Sequence, residues 1–269
     1  MKKHSICVIV LAACLLAGSC VSSPKSAAEF TPFVLEKAIP FDRKTPQNPR
    51  FEINISLPEP AKPISGLGNL IRDLLYEGQS AADYGNGVAA ELGKLYAEIR
   101  DEWESLGERP MESFNWHYTE KVESRTVSVD GLIPGHEKLL VFAKTTESYL
   151  GGAHGNLSTS CFVVDQAAVK RLALNDIFDD TEKLRLLLEA ELRRHYGLPE
   201  NAPLSEAGFF EDRVELPENF FLTEGDSGGP AEDSPFIHFL WNAYETAPYV
   251  MGAIEISMPL RSLSPLFLK

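Results

Sequence analysis

Cysteine is scarce in this chain, with four among 269 residues, and two of them fall within its first fourteen positions. That spacing supports no disulfide framework. Cys-x-x-Cys, His-Glu-x-x-His and His-x-x-x-His patterns are all missing, so neither a dedicated metal site nor a cofactor is expected. There is no phosphate loop either, because Ser65-Gly-Leu-Gly68 is too short to cradle one. Positive charge is in short supply: 25 Lys and Arg face 39 Asp and Glu, for a formal charge of −14. Such a surface repels phosphate backbones, which argues against nucleic acid as a partner, and it attracts cationic proteins.

What is present begins with an export address. Lys2, Lys3 and His4 precede the apolar run from Ile6 to Ala17, too short to span a bilayer as a stable helix. The run ends in Ala17-Gly-Ser-Cys20, which resembles the lipobox of bacterial lipoproteins, with Ala17 where Leu is usual. The resemblance implies cleavage before Cys20, acylation of that cysteine and a membrane anchor outside the cytoplasm. Residues 1–19 are then a signal peptide, and 20–50 are a lipidated cysteine, a Ser/Ala/Lys/Pro tether and a lead-in that becomes ordered near Phe30. Cys7 and Cys14 depart with the signal, leaving Cys161 alone, and its apolar setting Cys161-Phe-Val-Val164 reads as core. Loss of Lys2 and Lys3 moves the mature charge to −16.

Periodicity predicts an α+β fold built on largely antiparallel sheet, with helices packed on one face and two associated subdomains, 51–150 and 151–269. Phe51, Ile53, Ile55 and Leu57 alternate with polar residues, and Pro58, Pro60 and Pro63 are expected to end that strand. Apolar positions from Ile64 to Leu75 and from Val88 to Leu106 recur at helical spacing, and Gly107 and Pro110 stop the second run. Strands follow over 114–129, 138–149 and 157–164, with Trp116 and Tyr118 on one face as core aromatics. Thr181 is the expected cap of a helix with Leu184, Leu187, Leu188 and Leu192 as its stripe, and 219–222, 236–241 and 253–258 read as strands.

Two stretches carry unusual chemistry. Tyr149-Leu-Gly-Gly-Ala-His-Gly-Asn156 places Gly151, Gly152, His154 and Gly155 in a tight turn between strands. His154 is either a structural residue that satisfies buried backbone groups or a ligand-binding or catalytic one. Gly225-Asp-Ser-Gly-Gly-Pro230 matches the hexapeptide around the nucleophile of chymotrypsin-like proteases, with Ser227 at the nucleophile position. That family's histidine lies in Ala-Ala-His-Cys, whereas here Ala153-His154 sits in a glycine turn, and the helical stripes contradict a double barrel. Tyr244, Pro248 and Tyr249 should shape the connection between the last two strands.

Tyr149-Leu-Gly-Gly-Ala-His-Gly155, Arg171-Leu-Ala-Leu-Asn-Asp-Ile-Phe178 and the block from Tyr244 to Pro259 are similar, in order and spacing, to a pair of bacterial envelope domains of unknown function, the 3298 and 4163 types. These occur in the extracytoplasmic region of lysozyme-sensing anti-sigma factors and beside the catalytic domain of a peptidoglycan deacetylase. The resemblance implies a non-catalytic binding module in the cell envelope, taking a cationic protein such as lysozyme or a cell-wall ligand such as peptidoglycan. Tyr149, Gly151, Gly152, His154, Gly155, Tyr244, Pro248 and Tyr249 are its motif residues. The alternative is an envelope hydrolase acting on peptidoglycan or peptide through Ser227 or His154.

Overall fold

The computed structural model describes residues 28–41, 50–61, 66–107, 115–129, 131–225 and 235–269. Alternation places Phe51, Ile53, Ile55 and Leu57 on one fully buried face of strand β2 (Arg50–Pro60). Along one side β2 pairs antiparallel with β1 (Phe30–Pro40), and along the other it pairs parallel with β3 (Trp116–Ser128). A parallel pair needs a crossover, supplied by helices α1 (Leu67–Tyr76) and α2 (Ala81–Leu106). The chain then meanders through β4 (Lys138–Tyr149), β5 (Asn156–Asp165) and the short β6 (Lys170–Leu172), giving one six-stranded sheet in sequence order.

Three expectations need correction here. β1 was not legible as a strand, because Phe30-Thr-Pro-Phe-Val-Leu-Glu-Lys-Ala-Ile-Pro40 lacks strict alternation and contains two prolines; an edge strand tolerates both. Pro58 and Pro60 lie inside β2 instead of ending it, since pairing with β3 reaches only to Ser56 and no ladder bond on that side is lost. α2 starts seven residues before Val88: Ser80 accepts a hydrogen bond from the Asp83 amide, and Gly85 lets the helix settle on β1, where a Cβ would come within 2.5 Å of Phe33. Glycine weakens a helix interior, so its packing role outweighed propensity.

Two apolar cores lie on opposite faces of the large sheet. Leu140, Phe142 and Val164 join α1, α2 and β2 in the first, whereas Leu139, Val141 and Val163 join the C-terminal elements in the second. Neighbouring residues of β4 thus point to different cores, which explains its unbroken apolar run. The second core is closed by α3 (Thr181–His195) and a three-stranded antiparallel sheet of β7 (Asn219–Thr223), β8 (Phe236–Trp241) and β9 (Ile254–Pro259). Asp180, not Thr181, caps α3 by accepting from the Lys183 amide; Leu184, Leu188 and Leu192 are buried, but Leu187 at the stripe's border stays 38% exposed. β4 and β5 pair from Leu139↔Asp165 to Ser148↔Asn156, so position 150 falls in a hairpin of one sheet and the cores divide by sheet face.

A polar network is buried between the helices and the large sheet. The Glu120 carboxylate, 1% exposed, accepts from the Tyr118 hydroxyl and lies 3.0 Å from Lys144 Nζ, which also donates to Tyr84 Oη at 2.7 Å and to the Leu75 carbonyl at 3.0 Å. Burial opposes the Lys144 charge, but the Tyr84 and Glu120 contacts outweigh it and hold the ammonium above its usual pKa. Burial, and then Glu120, push the Tyr118 phenol far above the ordinary tyrosine range. No described helix is long and apolar enough to cross a membrane.

Candidate functional site

The glycine turn joins β4 to β5, and its shape follows from its residues. Gly151 and Gly152 have φ of +89° and +99°, and a Cβ at Gly151 would lie 3.4 Å from the Trp116 indole nitrogen. Gly155 passes so close to β4 that a Cβ would meet the Ser148 carbonyl oxygen at 3.0 Å. Only glycine combines that backbone with that approach. The Tyr149 hydroxyl donates to the Gly152 carbonyl at 3.0 Å and ties the turn down.

Across from the turn lies the connection from β8 to β9. As expected, it is a shaped loop: turns run from Asn242 to Ala247, Pro248 is extended, and a single 3₁₀ turn spans Tyr249–Met251. The Tyr249 hydroxyl reaches over to the Gly155 carbonyl at 2.8 Å, and its ring stacks on the His154 imidazole at 3.9 Å and 17°. Tyr244 adds a third ring, 5.6 Å from Tyr249, and its hydroxyl lies 3.4 Å from His154 Nε2. The motif residues that were separated by ninety positions in sequence therefore meet as one aromatic ledge. Pro248 precedes the Tyr249 turn in extended geometry and brings no aromatic ring.

The ledge faces solvent. His154 is exposed, Tyr244 is 56% exposed and the neighbouring Val250 is 90% exposed. Consequently His154 does not satisfy buried backbone groups: its Nδ1 donates to the carbonyl of Gly155, itself part of the surface turn, at 2.8 Å. That bond puts the proton of the neutral ring on Nδ1 and leaves Nε2 as an acceptor. Among the described residues its ring partners are a carbonyl and two phenols, with no carboxylate bonded to it to orient it as a base. Tyr244 holds a φ of +71°, a left-handed conformation that disfavours a bulky side chain. Strain of this kind persists where the surroundings impose it, and it clusters at binding sites.

Beside the ledge, and sharing its loop, opens a cleft of about 590 Å³ against β5. Its floor includes Cys161, Phe162 and Trp241, and its rim carries Glu211, Glu215, Glu218 and Glu245 against Arg171 and Arg213. Arg171 lies over the Phe162 ring at 5.1 Å, and Arg213 is held by Glu182 and Glu215. The Asn242 side-chain amide pairs with both backbone groups of Thr159, at 2.8 and 3.0 Å, and Asn219 accepts from the Cys161 amide. Two asparagines thereby cover the part of β5 that β6 is too short to reach. Cys161 is the core residue expected, and burial pushes its thiol up to about 12.

Phe210, Glu211, Glu218 and Asn242 were not singled out by sequence, and Arg171 only as the first residue of the 171–178 block, since each is unremarkable locally and only the approach of four segments gathers them. Ser227, and with it Asp226 to Pro230, lies outside the described residues, as does Cys20. Among the described residues, no group of three or more His, Cys, Asp or Glu is placed to hold a metal ion.

No protein-family model matches the sequence, and no curated protein matches it. Solved structures do. A DUF3298 family member from Bacteroides fragilis aligns over 90% of this chain and 94% of its own with a TM-score of 0.68 and 19% identity. A DUF3298 family protein from Pseudomonas aeruginosa aligns over 90% and 95% with a TM-score of 0.57 and 16% identity. At those identities the likeness is one of architecture, and this chain has the fold seen in these DUF3298 proteins.

Proposed function

We propose that this chain is a lipid-anchored protein of the bacterial cell envelope that binds a cationic protein, lysozyme among the candidates, through the face formed by the ledge and the cleft. The observation that carries the reading is the aromatic ledge in which exposed His154 stacks on half-buried Tyr249 with the exposed Tyr244 ring tilted beside them, held in place by a strained tyrosine backbone and a glycine turn. The Tyr244 and His154 rings stand in water and add nothing to either core; exposed aromatics anchor interfaces. Four carboxylates against two guanidiniums on the adjoining rim give that surface a negative balance, in line with the charge of the whole chain. The resemblance of the 149–155 and 244–259 blocks to the envelope domains of lysozyme-sensing proteins supports the same partner class. The signal resemblance at Cys20 supports the anchor.

The chemistry required is recognition without turnover. Aromatic anchors supply the buried contact, the glutamate rim steers a basic partner, and steering by exposed charge fades beyond about 8 Å at physiological ionic strength. The test is binding of the mature chain to purified lysozyme at low and at physiological salt, with wild type and with the double variant Glu211→Gln/Glu218→Gln. Binding whose association rate falls with salt and falls again in the variant is the expected result. Absence of binding at either salt would remove lysozyme, and identical rates in the variant would remove the cleft rim. Mass spectrometry of the mature N-terminus tests the anchor, which a free Cys20 would contradict.

A further inference from the structure

The charged groups that line the cleft fall into two sets. Glu215 is held by Arg213, which also reaches Glu182, and the Glu245 carboxylate is spent on the Asn242 backbone and side-chain amides at 2.9 and 3.1 Å. Glu211, Glu218 and Arg171 are uncommitted. Among the described residues no hydrogen bond or ion pair reaches their side chains, and Arg171 meets only the Phe162 ring, a contact that spends none of its N–H donors. Opposite charges that line one cleft without neutralising one another are complementary to a ligand that carries both signs. The floor supplies an apolar surface of Phe162 and Trp241, the latter fixed by its indole N–H bond to the Glu215 carbonyl at 3.0 Å. Phe210, 53% exposed in the same lining, belongs to neither core. Thr246 adds a buried hydroxyl oxygen with no hydrogen-bond partner among the described residues, which a bound polar group would complete. Strand addition is not how this cleft is filled, because Asn242 and Asn219 already hold the Thr159 and Cys161 backbone groups.

We propose that the cleft binds a short peptide of two or three residues with free termini and a basic side chain. Its α-carboxylate pairs with the Arg171 guanidinium, whose planar fork matches a carboxylate. Its α-ammonium and its basic side chain answer Glu211 and Glu218. Two uncommitted carboxylates against one uncommitted guanidinium favour a peptide of net charge +1 over an acidic one. The aliphatic part of the ligand covers Phe162 and Trp241. At about 590 Å³ the cleft has the size of sites that enclose small ligands and is too small for a folded partner. This site is distinct from the protein-binding reading, which uses Glu211 and Glu218 for steering and has no use for Arg171.

Calorimetric titration of the mature chain with the tripeptide Ala-Lys-Ala tests the assignment, with its N-acetylated form, its C-amidated form and Ala-Glu-Ala as comparison ligands. The variants are Arg171→Gln and Glu211→Gln/Glu218→Gln; all three side chains are exposed, so the variants keep the fold. The expected result is saturable binding of Ala-Lys-Ala, about tenfold weaker for each blocked form and for Ala-Glu-Ala. In Arg171→Gln the free acid and the amide should bind alike, and in Glu211→Gln/Glu218→Gln the free amine and its acetylated form should bind alike, which a general loss of structure would not produce. No saturable binding, equal binding of acid and amide by the wild type, or full discrimination between them in Arg171→Gln would overturn the site. Lysozyme binding is measured separately: Arg171→Gln removes a positive charge, so lysozyme association should hold or quicken in the variant that loses the peptide. A failure of the peptide site therefore leaves the protein-binding reading standing, and the reverse.

Discussion

Two tyrosine clusters in the same molecule have opposite fates. Tyr76, Tyr84 and Tyr118 gather between the helices and the sheet, where their hydroxyls meet a buried carboxylate, an ammonium and a backbone carbonyl. Tyr149, Tyr244 and Tyr249 gather at the glycine turn, where their hydroxyls reach only surface carbonyls and one imidazole, and where the Tyr249 ring stacks on His154 with the exposed Tyr244 ring tilted beside it. A tyrosine beside a buried charge is part of the fold, because removing it strands its partner. One that spends its hydroxyl on a surface turn while holding a strained backbone contributes little to the fold. Its ring is available for a ligand.

If this contrast holds, the largest stability effect comes from the buried side. Glu120→Ala leaves the buried Lys144 ammonium without its counter-ion and the Tyr118 hydroxyl without its acceptor, and a destabilisation of about 3–5 kcal/mol is expected in denaturant titrations. The isosteric Glu120→Gln should cost less. The buried cluster also sets an alkaline limit. Tyr76, Tyr84 and Tyr118 are all raised, chiefly by burial, from the ordinary value near 10. The folded state therefore keeps protons that the unfolded chain releases, and their contribution is fully present below about pH 10 and is lost as pH climbs further. Thermal melts between neutral and strongly alkaline pH should show that fall, with a shallower slope in Tyr118→Phe.

Smaller effects belong to the turn. Gly151→Ala forces a side chain into φ +89° beside the Trp116 indole, and about 1–2 kcal/mol should be lost in the melt. Smallest of all are the ledge variants: His154→Ala should change stability by less than about 1 kcal/mol, since its ring is exposed, and Tyr244→Gly should leave it level or raise it through relief of backbone strain. A large loss in either would place the ledge in the same class as the buried cluster and dissolve the contrast.

Sequence made much of this legible where one physical signal dominated. β2 announced itself by alternation, α3 by its leucines, and β4 and β5 by apolar runs between turn residues; the α+β class followed. It misled where tertiary contact decided. β1 is a strand because β2 and α2 cover it, and Gly85 lies in a helix because Phe33 packs there. The ledge shows the same split. Gly151, Gly152, His154, Gly155, Tyr244 and Tyr249 were each picked out by local oddity, yet nothing local says that residues ninety apart stack, or that His154 would face water. The cleft had no local signal of its own, because Phe210, Glu211 and Glu218 are ordinary surface residues until the chain brings them together.

One face of the molecule, the ledge with its adjoining cleft, is assigned as the recognition surface, and amide hydrogen exchange of the mature chain with and without saturating lysozyme tests that most directly. Slowed exchange confined to 151–157, 210–218 and 242–252, retained in Glu120→Gln and lost in Tyr244→Gly, is the result this account expects. Protection centred instead on α2 or on the outer edge of β1, with the glycine turn unchanged, would contradict it.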